Sequence, residues 1–289
     1  MENVIELTNV QKSFKGFQLK DFSLTVKKGF VTGFIGGNGA GKSTTIKMMM
    51  NLLQPDSGSV SLFGLNYKEH EKAIKQRIGF VMDDNVFYEE LSLKEMKKII
   101  KPAYTNWDDN LFEQYIEKFE LPLNKKIKTF SKGMMMKASL TVAISHHAEL
   151  IIMDEPTSGL DPSFRRELLD LLHHVMQDEE KTIFFSTHIT TDLERIADYI
   201  TFLHNGKHIF TKEFSQIEEE YAIVKGEIDL LDRDIEREFI SIRKSNHGFE
   251  ALTANKKRTE NMLGNMALIE KPSLEDIMFY TKKGEEQYV

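Results

Sequence analysis

The chain has 289 residues, 40% of them hydrophobic and 29% charged, which allows one large or two moderate domains with full cores. A net charge of -7 argues against broad non-specific binding to nucleic acid, and the absence of cysteine excludes disulfides and thiolate metal sites. The opening MENVIELTNVQKSF carries charges where a signal peptide needs an apolar core, and no window approaches about 18 uninterrupted apolar residues. The expectation is a cytoplasmic protein whose membrane association comes through a partner.

Residues 2 to 33 contain short alternating strands, NVIELTNV and FSLTVKKG, broken by Gly16 and Gly29, which suggests an antiparallel edge. FVTGFIG reads as a buried strand running into a Gly-rich turn and a helix from about Lys42 to Leu53. QPDSG is a turn, SVSLFG a strand, KEHEKAIKQR a short polar helix and IGFVM another strand. From Leu91 to His147 the pattern is helical, broken at Pro102, Pro122 and FSKGM. Strand LIIMDEP, helix PSFRRELLDLLHHVMQ, strand KTIFFSTH, helix ITTDLERIADYI and hairpin TFLHNGKHIF follow. Strands alternating with helices imply a mostly parallel α/β core interrupted by an inserted helical subdomain at about 85–148. Residues 1–213 form this main domain. The segment 214–289 reads as a small α/β appendage with strands YAIVKG and REFISIR and a closing helix, PSLEDIMFYTKK, whose Pro stands at a first helical position.

The run GGNGAGKST, Gly36 to Thr44, fits G-x-x-x-x-G-K-[ST] and lies between a buried strand and a helix. Its candidate nucleotide contacts are Gly36, Asn38, Gly39, Ala40 and Gly41, followed by Lys42, Ser43 and Thr44. Glycines let backbone N–H groups turn inward on phosphate oxygens, and the helix N-terminus adds partial positive charge. Lys42 would bridge the terminal phosphates, and the Ser43 hydroxyl would ligate Mg²⁺. LIIMDEP ends an apolar strand on two acids, Asp154 for the Mg²⁺ shell and Glu155 to polarise a water for in-line attack on the γ-phosphate. His188 closes the strand KTIFFSTH, where it could reach the same phosphate.

These motifs, in this order across about residues 1 to 213, resemble those of the ATP-binding cassette (ABC) ATPases. GGNGAGKST is similar to the family's Walker A loop and LIIMDEP to its Walker B with catalytic Glu155. SGLD, ending at Asp161, resembles the D-loop, STH the switch-histidine loop, and Phe14 falls where the family places an aromatic that stacks on adenine. The resemblance implies a P-loop NTPase fold of ABC type with an antiparallel β subdomain, an inserted helical subdomain and a C-terminal appendage.

FSKGMMMKASL occupies the place of the family's signature motif, usually LSGGQ, which is presented across a dimer to the partner's ATP. Ser131 stands where an N-cap would, and Gly133 in a first turn lowers helix propensity unless the backbone must approach something closely. The Ser131 hydroxyl and Gly133 N–H can both donate to a γ-phosphate. Lys132 replaces a family glycine and would add a favourable cation near that phosphate, and Met134 replaces a glutamine. In GFVMDDN, Asp83 stands where the family carries a glutamine that senses Mg²⁺ and the membrane partner; a carboxylate accepts from a Mg²⁺-bound water but cannot donate.

The implied function is an ATPase that binds ATP and Mg²⁺, pairs with a second ABC subunit, and drives an integral membrane permease from the cytoplasmic face of the cell membrane. The single cassette, the helical insertion, the altered signature and PSLEDIMFYTKKG resemble exporters of the ABC-2 type, including bacterial peptide exporters such as those for phenol-soluble modulins. The alternatives are a soluble ABC protein acting on ribosomes or DNA complexes, which usually fuses two cassettes or inserts long coiled coils, and a catalytically silent regulatory cassette. Neither feature of the first is present, and intact Lys42, Asp154, Glu155 and His188 count against the second. No nucleic acid partner is expected.

Overall fold

The computed structural model describes residues 2–82, 87–178 and 180–287, and the chain divides into two compact units, 1–211 and 212–289. In the first unit, β1 (Asn3–Phe14) and β2 (Phe17–Lys27) form a hairpin turned at Gly16. β3 (Val31–Ile35), buried at every position, leads into α1 (Lys42–Met49). That helix ends earlier than the sequence pattern suggests, because the N–H groups of Leu52 and Leu53 both turn back to the Lys47 carbonyl. β4 (Ser57–Leu62) and β5 (Leu65–Asn66) follow, giving an antiparallel sheet in the order β2-β1-β4-β5. α2 (Tyr67–Gln76), capped by the Asn66 side chain, precedes β6 (Ile78–Val81).

The expected helical insertion contains α3 (Leu93–Ile100), α4 (Asp109–Lys118) and α5 (Lys132–Ser145). Ser92 and Glu95 start α3 with a reciprocal capping box, and Asp108 caps α4. The chain then alternates through β7 (Leu150–Asp154), α6 (Pro162–Val175), β8 (Thr182–Thr187), α7 (Thr190–Ile196), β9 (Tyr199–His204) and β10 (Lys207–Glu213). α7 is shorter than ITTDLERIADYI suggests. Asp198 accepts from the Val31 N–H through Oδ2 at 2.8 Å and donates its own N–H to the Val31 carbonyl at 2.9 Å, which draws Tyr199 and Ile200 into β9. Asn205 and Gly206, with φ of 46° and 73°, close the β9-β10 hairpin in the left-handed geometry such two-residue turns require.

The central sheet has the order β10-β9-β3-β8-β7-β6, parallel from β9 to β6. β3, β7, β8 and β9 are buried along their whole length, as expected of parallel strands covered on both faces. The C-terminal ends of β3, β7 and β8 lie side by side, because Ile35 pairs with Thr187 and Asp154 with Ser186. Ligands of open parallel sheets bind at such ends.

The second unit opens with α8 (Phe214–Glu220) and β11 (Ala222–Gly226). Next come α9 (Arg233–Glu236), β12 (Phe239–Ser245), β13 (Gly248–Thr253), α10 (Lys256–Leu263), β14 (Leu268–Glu270) and α11 (Leu274–Gln287). The order β12-β13-β11-β14, with antiparallel neighbours, is a split β-α-β sheet. Val224, Phe239, Phe249, Ala251 and Leu263 form its own core. α11 packs on β12, where the Ser241 hydroxyl donates to the Tyr280 carbonyl at 2.7 Å. Ser273 caps α11, so Leu274 and not Pro272 stands at the first helical position: the Ser273 hydroxyl accepts from the Asp276 N–H, and its own N–H donates to the Asp276 carboxylate. Among the described residues, no helix is long and apolar enough to cross a membrane.

Candidate nucleotide site

The loop from Gly36 to Gly41 joins β3 to α1, and Gly39 and Gly41 take φ of 78° and 114°. Side-chain-bearing residues rarely adopt such values, so the backbone of this loop requires glycine at both positions. A Cβ on Gly41 would also stand 2.8 Å from the ring of Phe17, which therefore packs directly against the loop. The Lys42 ammonium is buried and donates to the Gly36 carbonyl at 2.8 Å, while Thr45 caps the turn by donating to the Gly41 carbonyl at 3.0 Å.

Asp154 and Glu155 occupy the end of β7. Asp154 is buried, and its Oδ1 accepts from the Ser186 hydroxyl on neighbouring β8 at 2.5 Å. Glu155 has a positive φ of 49° and donates its N–H to the Ser186 carbonyl at 3.0 Å, which turns its side chain away from the direction an extended strand would give it. Its Oε1 lies 3.2 Å from Lys42 Nζ, and its Oε2 lies 2.7 Å from Nδ1 of His188.

Lys42, Glu155 and His188 line one groove of about 770 Å³, walled by Phe14 and Phe17, floored by residues 37–44, and bordered by Lys47, Leu53 and Ser158; Asp154 is not among the residues that line it. Five of the lining residues, Gly37 together with Phe17, Lys47, Leu53 and Ser158, are missing from the residues that the sequence singles out. Phe17, Lys47, Leu53 and Ser158 carry no phosphate-binding pattern and enter only through tertiary placement; a second aromatic three positions after Phe14 is the available signal for Phe17. Phe14 is exposed, with its ring 6.4 Å from that of Phe17. Gly36 lies behind the groove, where it accepts from Lys42.

Ser131, Gly133 and Asp161 do not line this groove. Ser131 caps α5 by accepting from the Met134 N–H at 3.2 Å, an arrangement that leaves its hydroxyl proton available. Asp161 caps α6, accepting from Ser163 and Phe164 N–H groups at 3.0 Å. The close approach that explains Gly133 within this chain is an aromatic ring: a Cβ there would stand 3.0 Å from two ring carbons of Phe164. Lys132 lies along Gly159, with its Nζ 3.4 Å from where a Cβ of that glycine would be. Asp83 falls outside the described residues.

Backbone amides turned toward phosphate, with a carboxylate beside them to activate water, are the working parts of a P-loop nucleoside triphosphatase. The ABC transporter family profile matches residues 19–158. Over 297 aligned positions the chain is 32% identical to the bacitracin transport ATP-binding protein BcrA of Bacillus licheniformis, covering 96% of each. It is 31% identical to the lantibiotic transport ATP-binding protein SrtF of Streptococcus pyogenes, over 73% of this chain and 91% of that one. A solved structure described as the ATP binding subunit of an ABC transporter superposes with a TM-score of 0.68 at 29% identity, over 75% of this chain and 92% of its own. The chain belongs to the ATP-binding subunits of ABC transporters and is an ATPase.

Proposed function

We propose that the chain powers a membrane exporter of peptides or other amphipathic compounds, working as a dimer held against an integral permease on the cytoplasmic face. The observation that carries this reading is the match to BcrA over 96% of both chains, which takes in most of residues 212–289 as well as the cassette. BcrA and SrtF are both named for transport of peptide antibiotics.

In this reading the Gly36–Gly41 loop and Lys42 hold the ATP phosphates, Phe14 stacks on the base, Glu155 takes a proton from the attacking water, and His188 contacts the γ-phosphate. Ser43 and Asp154 offer only oxygen donors, a set that suits Mg²⁺ bound together with phosphate; Asp83 is the third candidate for that shell. The ion would neutralise charge developing on the phosphates. Ser131, Gly133 and Asp161 lie outside the groove of their own chain, and in this reading they complete the site of a partner copy.

The test is affinity capture in mild detergent followed by reconstitution. An integral membrane protein should co-purify, and vesicles holding both should move an amphipathic peptide only with hydrolysable ATP. Recovery of ribosomal RNA in its place would overturn the exporter reading.

A further inference from the structure

The signature turn and the D-loop belong to different parts of the first unit, one starting α5 in the helical insertion and the other joining β7 to α6. Two contacts nevertheless bind them to each other within one chain. The Phe164 ring covers Gly133 so closely that a Cβ there would be 3.0 Å away, and the stem and ammonium of Lys132 lie against Gly159. Phe164 has a second neighbour on α5. Lys137, one turn beyond Gly133 on α5, places its ammonium 4.9 Å from the Phe164 ring centre and forms an ion pair with Glu167 on α6 at 2.9 Å.

The segment that precedes Phe164 is also braced. Asp161 caps α6 through the Phe164 N–H, Leu160 N–H donates to the Thr157 carbonyl at 3.3 Å, and Ser158 N–H donates to the Glu155 carbonyl at 3.1 Å. A continuous run of short contacts therefore leads from Gly133 through Phe164 and the D-loop to Ser158 and Glu155, both of which line the nucleotide groove.

We infer that Phe164 is a positioning residue that locks the signature turn to the D-loop, so that the signature one chain presents to its partner's nucleotide is held in place by that same chain's D-loop and α6. The inference rests on the composite-site reading above. Phe164 does not line the nucleotide groove and acts through the backbone of Gly133. Two discrete segments joined by a packed ring move together, whereas two segments joined only by solvent do not.

Mixed dimers test it. Differently tagged Ser131→Ala and Lys42→Ala chains, purified through both tags, retain one intact composite site, built from the phosphate loop of the first chain and the signature of the second. That dimer should regain turnover over either pure variant. Phe164→Ala added to the Lys42→Ala chain loosens the working signature and should lower the regained kcat about 10-fold with KM little changed, the scale expected when positioning rather than binding is lost. Added to the Ser131→Ala chain, whose signature is already disabled, it should cost less than about 2-fold. Phe164→Tyr, which keeps the ring, should restore kcat in the first placement. Equal losses in both placements would show a general folding effect and overturn the lock, as would no loss in either. Failure to isolate the mixed dimer, or a mixed dimer without regained turnover, would remove the composite-site reading and the lock with it.

Discussion

Nδ1 of His188 lies 2.7 Å from Oε2 of Glu155, and the main-chain N–H of His188 donates to the same oxygen at 3.2 Å. The other carboxylate oxygen faces Lys42 at 3.2 Å. The end of β8 and the phosphate loop thus fix both oxygens of one acid, and the left-handed backbone at Glu155 is the conformation that brings it between them. The carboxylate is thus oriented from two sides, as the general-base role proposed for it requires.

Glu155→Gln keeps the size of the side chain and its contact with His188 but removes the proton acceptor. Turnover should fall about 10²-fold or more, while nucleotide affinity is kept. Steady-state phosphate release together with fluorescent-nucleotide titration measures both quantities. Turnover near that of the natural chain would assign the base to another group.

Phe14 and Phe17 should separate in their effects. Phe14 is exposed, so Phe14→Ala should weaken nucleotide binding by about 1 kcal/mol, roughly 5-fold in Kd, without moving the melting temperature. Phe17 packs on Gly41, and Phe17→Ala should lower both affinity and thermal stability, because the loop loses its wall. Phe14→Ala with unchanged affinity and a lowered melting temperature would make that ring a packing element instead.

The phosphate loop was legible because its chemistry is local: nine consecutive residues carry the turn, the cation and the hydroxyl. The cassette strands were legible as unbroken apolar runs for the same reason. Phe17 and Ser158 were not, since each meets the loop only after the sheet has formed. The end of α7 was missed because Asp198 breaks the helix through a pair of bonds to Val31, 167 positions away. In the second unit β13 and the three-residue β14 escaped notice. β13 begins at Gly248, with φ of 130°. β14 has only half-buried or exposed residues and no alternation to mark it. Gly133 shows the sharper lesson. The sequence justified asking what approaches it, and the structure supplies Phe164, 31 residues on, as one answer within the chain.

Acid should destabilise the chain through His146. Its ring stacks on Tyr104 at 3.8 Å, is buried, and has no partner for Nδ1 among the described residues. Burial, with Lys181 and His147 acting in the same direction, pushes its pKa down to about 4, against roughly 6.5 in an unfolded chain. Between these values the unfolded chain takes up a proton that the folded chain does not. The stabilisation is complete above about pH 6.5 and is lost as pH falls toward 4, a change of roughly 1–3 kcal/mol. His146→Phe keeps a ring against Tyr104 and removes the proton, so its melting temperature should fall less than that of the natural chain between about pH 7 and pH 4.5. Parallel curves would place the acid sensitivity elsewhere.

Every residue that lines the nucleotide groove falls between Phe14 and His188, and residues 212–289 carry their own sheet and their own apolar core. A chain ended after Glu213 keeps β10 whole and therefore keeps the central sheet paired out to its edge. It should fold and bind nucleotide within about 2-fold of the full chain, as expected when a unit with its own core is removed at its boundary. Retained nucleotide binding with lost capture of the membrane subunit would give residues 214–289 a role in docking. Retention of both would leave the appendage outside nucleotide binding and permease docking alike. A shortened chain that melts cooperatively yet binds no nucleotide would show that the groove depends on residues beyond Glu213, and would overturn the division of labour drawn from the two cores.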